Sequence, residues 1–309
     1  MEHKRVVSGR RRYAVLCGGL GGSRFVDALA RAEGPEQVAA VVNVGDDVEI
    51  LGLHVSPDLD TVLYTLAGLL DEERGWGVRE ETTNALASAG RLGGETWFTL
   101  GDRDLGLHLV RTRALREGAP LSEVTRRLAE SLGVDVRLLP ASDDPVRTFL
   151  TTPEGELDFQ TWFVARRHAD RVLGVRYGGA DAAAPAPGVL EAIEGAEVVF
   201  IAPSNPFVSI FPILAVPGIR AALDDKRVVA VSPLVGGRAL RGPLAGMMDS
   251  LGHEPGVRGI AALYEGIATD LVVDPADEGE LPGALVAPIV MVEPQSRAEV
   301  GAAVLDVVR

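Results

Sequence analysis

The chain has 309 residues, with 30 Lys+Arg against 44 Asp+Glu and a formal net charge of −14. A field of that sign repels phosphate backbones and anionic lipid, which argues against nucleic-acid and anionic-membrane roles but not against a small phosphorylated ligand in a cleft. A chain this long buries enough apolar surface to fold without a staple, and its single cysteine, Cys17, offers neither a disulfide framework nor a cysteine-built zinc site. A reducing, cytoplasmic setting is expected.

Residues 1–12 are basic and read as a loose tail. The apolar run after them is too short for a signal peptide, because glycines and Arg24 follow at once. Residues 13–17 read as a strand, residues 18–23 as a glycine-rich turn, and Phe25, Val26, Leu29 and Ala30 as the apolar face of a helix. Residues 38–44, apolar except for Asn43, form a run of the kind found in parallel strands covered on both faces. Ser56, Pro57 and Asp58 then open a helix as N-cap, first-turn proline and first-turn acid. Its stripe is Leu59, Val62, Leu63, Leu66, Leu69 and Leu70.

From residue 75 to 188 the pattern changes. Ser122 is expected to cap a helix that Gly133 ends. Residues 148–152 and 157–164 read as a hairpin, and residues 182–187 as a flexible surface loop. Residues 198–219 carry no charge, but Pro203, Pro206, Pro212 and Pro217 exclude a membrane span and predict a buried strand, a loop and a short buried helix. Further strands are expected at 228–231, 271–273 and 289–292. The class is α/β: a Rossmann-like, mostly parallel sheet with helices on both faces. Residues 13–74 and 189–309 form the nucleotide-binding core, and 75–188 a helical and β-hairpin insertion covering the site.

Three loops sit at expected strand ends, where open parallel sheets bind ligands. Gly18, Gly19, Gly21, Gly22 and Ser23 can bring bare backbone N–H groups and a helix N-terminus to a phosphate. Ser204 and Asn205 follow one strand, and Ser232 with Gly236 and Gly237 follows another. The first loop is not a full dinucleotide fingerprint, since its last glycine would fall at Arg24. There is no Gly-Lys-Ser/Thr and no Gly-x-Ser-x-Gly, so neither a Walker ATPase nor an α/β serine hydrolase is supported.

Asp46, Asp47, Asp58 and Asp60 supply hard oxygen ligands suited to Mg²⁺ and a substrate phosphate. Helix first turns and tight turns also use Asp, but an adjacent pair at a buried strand end calls for a cation or donors. Trp97 and Phe98 read as ordinary core, Asp102, Arg103 and Asp104 as a local ion network, and Arg91 as a cation at a helix C-terminus.

The glycine loop 18–22, the run 43–61 and Leu100-Gly101-Asp102-Arg103-Asp104 together form a specific pattern. So do Phe159-Gln160, Pro203-Ser204-Asn205-Pro206 with Ser209-Ile210, and residues 232–237. In these the chain resembles the 2-phospho-L-lactate transferase family of coenzyme F420 biosynthesis, over residues 13–274. The resemblance implies transfer of a phospho-lactyl or phospho-enolpyruvyl group from a guanosine diphosphate conjugate to the ribityl hydroxyl of the deazaflavin Fo, with GMP leaving. It implies that Gly18, Gly19, Gly21, Gly22, Ser23, Ser204 and Asn205 hold the guanosine diphosphate part, with Gly236 and Gly237 nearby. Asp46 and Asp60 would bind Mg²⁺, Asp47 would contact the Fo hydroxyl and take its proton, and Asn84 or Arg91 would contact Fo. A homodimer is expected, as is common for such enzymes. The competing reading is a non-catalytic nucleotide-sugar-binding regulator similar to gluconeogenesis-factor-like proteins. The runs 45–61 and 101–104 suit the transferase. An NAD-dependent oxidoreductase would share only the α/β opening.

Overall fold

The computed structural model describes residues 11–309, so most of the expected basic tail lies outside the described residues. β1 (Tyr13–Cys17) runs into α1 (Gly19–Glu33), and β2 (Val38–Val42) follows. A small hairpin, β3 (Val48–Ile50) and β4 (Leu53–Val55), leads to α2 (Pro57–Leu66). The helices α3 (Asn84–Arg91), α4 (Asp102–Arg116) and α5 (Leu121–Ser131) precede β5 (Arg137–Pro140). Then come β6 (Arg147–Thr152), β7 (Gly155–Asp158), β8 (Gly174–Gly178), α6 (Val189–Glu194), β9 (Val198–Ile201) and α7 (Phe211–Leu214). β10 (Arg227–Val231) is followed by the short pair β11 (Leu234–Val235) and β12 (Arg238–Ala239), then α8 (Leu244–Ser250) and α9 (Val257–Leu263). β13 (Asp270–Val273), β14 (Leu285–Val286) and α10 (Arg297–Val308) complete the described chain.

One seven-stranded sheet has the order β14-β13-β10-β9-β1-β2-β5, and every pairing in it is parallel. Successive residues of a strand face opposite ways. In β1, β9 and the inner part of β10 all of them are buried, so both faces of the sheet are covered. That is the Rossmann-like α/β class expected from the apolar runs. The helix α1 lies against α2 and α10. It approaches α10 so closely that a Cβ on Gly301 would stand 2.3 Å from the carbonyl oxygen of Ala28. Arg297, 1% exposed, ties the same helices to the segment after α2 through Asp27 (3.1 Å) and Glu72 (2.6 Å).

Several local expectations change. β5 lies inside the stretch 75–188, yet it pairs with β2 and forms one edge of the main sheet. What stands apart from the sheet is α3–α4 and the antiparallel β7-β6-β8 unit. The second hairpin strand ends at Asp158, because residues 161–165 turn helical and bury Trp162, whose Nε1 donates to the Asp170 carbonyl (3.0 Å). Residues 182–187 are anchored: Ala183 and Ala186 are buried, and Ser142 Oγ donates to the Ala184 carbonyl (2.7 Å). Ser122 does not cap α5; its N–H and hydroxyl both donate to Asp143 (2.6 and 2.8 Å). The last strand is Leu285–Val286, and 289–292 belongs to no strand. Among the described residues no helix is long and apolar enough to cross a membrane.

Candidate active site at the sheet switch point

After β1 the chain adds strands on one side of it, β2 and then β5, and returns to place β9 on the other. The crevice beyond the carboxyl ends of β1 and β9 is therefore the switch point where doubly wound sheets hold ligands. Gly18 and Ser204 meet there. Ser204 Oγ donates to the Gly18 carbonyl (2.8 Å) and accepts from the Gly18 N–H (3.3 Å). The glycines permit this closeness. A Cβ on Gly21 would lie 2.2 Å from the Pro203 carbonyl oxygen, and one on Gly22 would lie 2.7 Å from Ser204 Oγ. Gly19 adopts φ +63°, a region other residues rarely enter, and its N–H donates to Asp58 Oδ1 (2.6 Å).

The other members of the loops are placed less uniformly. Ser23 is fully buried, with its hydroxyl on the Leu20 carbonyl (2.9 Å) and Thr65 Oγ1 donating to it (2.9 Å), so it braces the loop from behind. Asn205 caps the following turn by accepting from the Phe207 N–H (3.0 Å). The N–H groups of Gly236 and Gly237 form an anion-binding concavity, but both donate to the Asp277 carboxylate (2.9 and 2.7 Å). Those two amides are engaged within the protein.

Beyond β2 the carboxylates gather around Asn43. Its Nδ2 lies 2.9 Å from Asp46 Oδ1, 2.9 Å from Asp58 Oδ2 and 3.0 Å from the Val208 carbonyl. Its Oδ1 accepts from the Gly45 N–H (2.8 Å). Burial, and then the charges of Asp58 and Asp47, push the Asp46 carboxyl well above the usual range. Burial raises Asp58 to about 7, against the lowering effect of the Asn43 and Gly19 donors. Ser56 begins α2 as expected, but its hydroxyl donates to Asp47 Oδ2 (2.9 Å) instead of capping the helix. His54 Nε2 reaches the same oxygen (3.0 Å), while Asp47 Oδ1 is buried without a hydrogen-bond partner. The β6–β7 hairpin closes over this group: Thr148 N–H donates to the Gly45 carbonyl (2.6 Å) and Gln160 Nε2 to the Asp46 carbonyl (3.1 Å).

Asp60 belongs to a different set. Arg111, 1% exposed, grips both of its oxygens, one at 3.0 Å through Nη1 and the other through Nη2. From the same helix, His108 Nε2 lies 3.1 Å from Asp104 Oδ1, which also accepts from Tyr64, and Thr112 Oγ1 accepts from the His54 N–H (2.8 Å). Asp60, expected as a metal ligand, is thus neutralised by the protein itself. Asn84 and Arg91 lie on α3, whose only buried residue is Leu86. Asn84 Nδ2 donates to Asp102 (3.0 Å) and Arg91 to Ser88 (3.0 Å). Trp97 and Phe98 are half-buried against Ile50, Val55 and Leu100.

These positions test whether a divalent cation fits. Among the described residues no three acidic, His or Cys side chains converge as a finished metal site. Mg²⁺ needs less, because it takes one or two carboxylates and completes its shell with water and substrate phosphate. Asp46 and Asp58 share one amide and have no cation hydrogen-bonded to them, and Asp47 Oδ1 is orphaned beside them. That set of hard oxygens fits the ion. Sequence reasoning missed Asn43, Arg111 and His108. The last two had a legible signal, since residues 104, 108, 111 and 112 recur at helical spacing as a polar stripe.

The family model of 2-phospho-L-lactate transferase CofD matches residues 14–289. A phosphoenolpyruvate transferase of Nocardia farcinica is 42% identical, covering 96% of this chain and 94% of that protein. One from Thermobifida fusca is 40% identical, covering 96% and 97%. A 2-phospho-L-lactate transferase of Methanosarcina mazei is 38% identical, covering 86% and 88%. The crystal structure of a UPF0052 family member from Bacillus halodurans matches with a TM-score of 0.55 at 21% identity, covering 86% and 80%, a likeness of fold alone. With a match over nearly the whole chain and relatives near 40% identity, the chain belongs to the 2-phospho-L-lactate transferase family.

Proposed function

We propose that this protein transfers a phospho-enolpyruvyl or phospho-lactyl group from a guanosine diphosphate conjugate to the terminal ribityl hydroxyl of Fo, releasing GMP in coenzyme F420 biosynthesis. The names of its relatives support the transferase chemistry, and the bacterial ones favour the enolpyruvyl donor. The observation that carries the reading is the buried group Asp46, Asp47 and Asp58 at the switch point, beside a loop whose glycines admit close backbone approach. Three buried acids without a cation are costly, and a ligand that brings Mg²⁺ relieves that cost.

In this reading the N-terminal turn of α1 and the Ser204 loop hold the diphosphate and nucleoside. Asp46 and Asp58 would hold Mg²⁺, which supplies charge neutralisation at the diphosphate; Asp60 would join them only by leaving Arg111. Asp47 accepts the proton of the attacking hydroxyl. The hydroxyl oxygen forms a bond to the distal phosphorus, the bond from that phosphorus to the bridging oxygen breaks, and GMP leaves with the electron pair. Asn84 and Arg91 remain candidates for the Fo contact, on a helix whose one buried residue is Leu86. Asp46→Asn and Asp47→Asn should each lower turnover at least about 100-fold, the usual range for a metal ligand or general base. Near-normal Mg²⁺-dependent turnover in both variants overturns the assignment.

A further inference from the structure

Asp47 is 2% exposed and its two carboxylate oxygens are in different situations. Oδ2 receives Ser56 Oγ at 2.9 Å and His54 Nε2 at 3.0 Å, and these two donors are 3.1 Å from each other, so the contacts close a triangle. Oδ1 is buried and has no partner. Buried acceptors are seldom left unpaired, so Oδ1 calls for a partner, and an incoming substrate hydroxyl supplies one. The donors are themselves fixed. His54 sits on β4, paired with Glu49 of β3, and its N–H is bonded to Thr112 Oγ1 (2.8 Å). Ser56 precedes α2, where its N–H lies 3.3 Å from Asp60 Oδ2. Donation to Oδ2 requires the His54 tautomer protonated on Nε2. Two donors on one oxygen stop the carboxylate from rotating about its Cβ–Cγ bond, which fixes where the other oxygen points.

We infer that His54 and Ser56 are positioning residues for Asp47: they hold Oδ2 so that Oδ1 is the one atom presented to the acceptor hydroxyl. The inference rests on the transferase reading above and assigns the proton to a single oxygen. His54 is 26% exposed and at the edge of the buried group, so removing its ring leaves the core intact.

The test is steady-state kinetics with Fo and the guanylyl donors on D47N, H54A, H54Q, S56A and the pair D47N/H54A, with melting temperatures taken alongside. H54A should lower kcat about 30-fold with both KM values within about 3-fold, the signature of a misplaced reacting group. H54Q, whose amide nitrogen reaches the place of Nε2, should recover to within about 5-fold of wild type, because it restores the donor. S56A should fall in the same direction as H54A, and D47N/H54A should be no worse than D47N, because both changes act through one group. If H54A and S56A keep wild-type kcat while D47N is inactive, the positioning role is wrong and the Asp47 assignment stands. The role is equally wrong if H54A acts only through KM or only through a lowered melting temperature. If D47N itself turns over normally, the transferase assignment of Asp47 fails and takes this inference with it.

Discussion

At the scale of single residues, the candidate site is built by close approach and by concentrated charge. Gly21 is the clearest case of approach. Its missing Cβ is what lets the first turn of α1 stand against the Pro203 carbonyl. Gly21→Ala puts a methyl 2.2 Å from that oxygen, so either the turn or the Ser204 loop must move. Nucleotide affinity measured by calorimetry should drop at least about 10-fold while the far-ultraviolet spectrum stays native, the loss expected when a positioned backbone shifts by a fraction of an ångström. The acids were visible in the sequence as a run, and their position at a strand end was visible too. Their division of labour was not. Asp60 is taken by Arg111, 51 positions away, whereas Asn43 ties Asp58 to Asp46. The polar stripe that carries Arg111 is legible, but no local pattern says which acid, 51 positions away, it pairs with.

At the scale of elements, α4 is the unexpected one. Its stripe Asp104, His108, Arg111 and Thr112 packs polar groups against α2 and β4, where an apolar face would be usual. The bond between Arg111 and Asp60 is fully buried, so breaking it from one side leaves an unpaired charge. Arg111→Met should cost about 3–5 kcal/mol of stability in urea denaturation. Adding Asp60→Leu should return most of that loss, since an apolar pair of similar volume removes the orphaned charge. A loss below about 1 kcal/mol in the single variant would mean that the pair is solvated, as surface pairs are. The helix itself was foreseen only as a local ion network around Asp102–Asp104, because its buried face is polar and gives no hydrophobic period. The hairpin over the site was legible in its first strand, Arg147–Thr152; its second ends early where Trp162 turns into the core.

At the scale of the whole molecule, the sheet was legible because central parallel strands are apolar on both faces, as β1, β9 and β10 are. Its edges were not. β14 has two residues, and β5 has four and follows a run of three helices. The sheet order then gathers the buried acids at one end, and this has a consequence for stability. Asp58 takes up its proton near pH 7 in the folded, metal-free protein, against an ordinary value of 3.8, and Asp46 is shifted the same way. A carboxyl raised on folding adds stability below its unfolded value and loses it as pH rises through its folded value. The metal-free protein should therefore melt about 2–5 °C lower at pH 8 than at pH 6, on the usual scaling for a chain of this size. Millimolar Mg²⁺ should raise the melting temperature more at pH 8 than at pH 6, because the cation binds the ionised acids. An equal Mg²⁺ shift at both pH values contradicts the placement of the ion at Asp46 and Asp58.

The most direct measurement is turnover by the purified protein with Fo, Mg²⁺ and, separately, the enolpyruvyl and lactyl guanylyl diphosphates, following GMP and the phosphorylated Fo product together. GMP and product should form in equal amounts with at least one donor, dependent on Mg²⁺. Tight nucleotide binding with no product from either donor would contradict it and would point instead to a regulator built on the same fold.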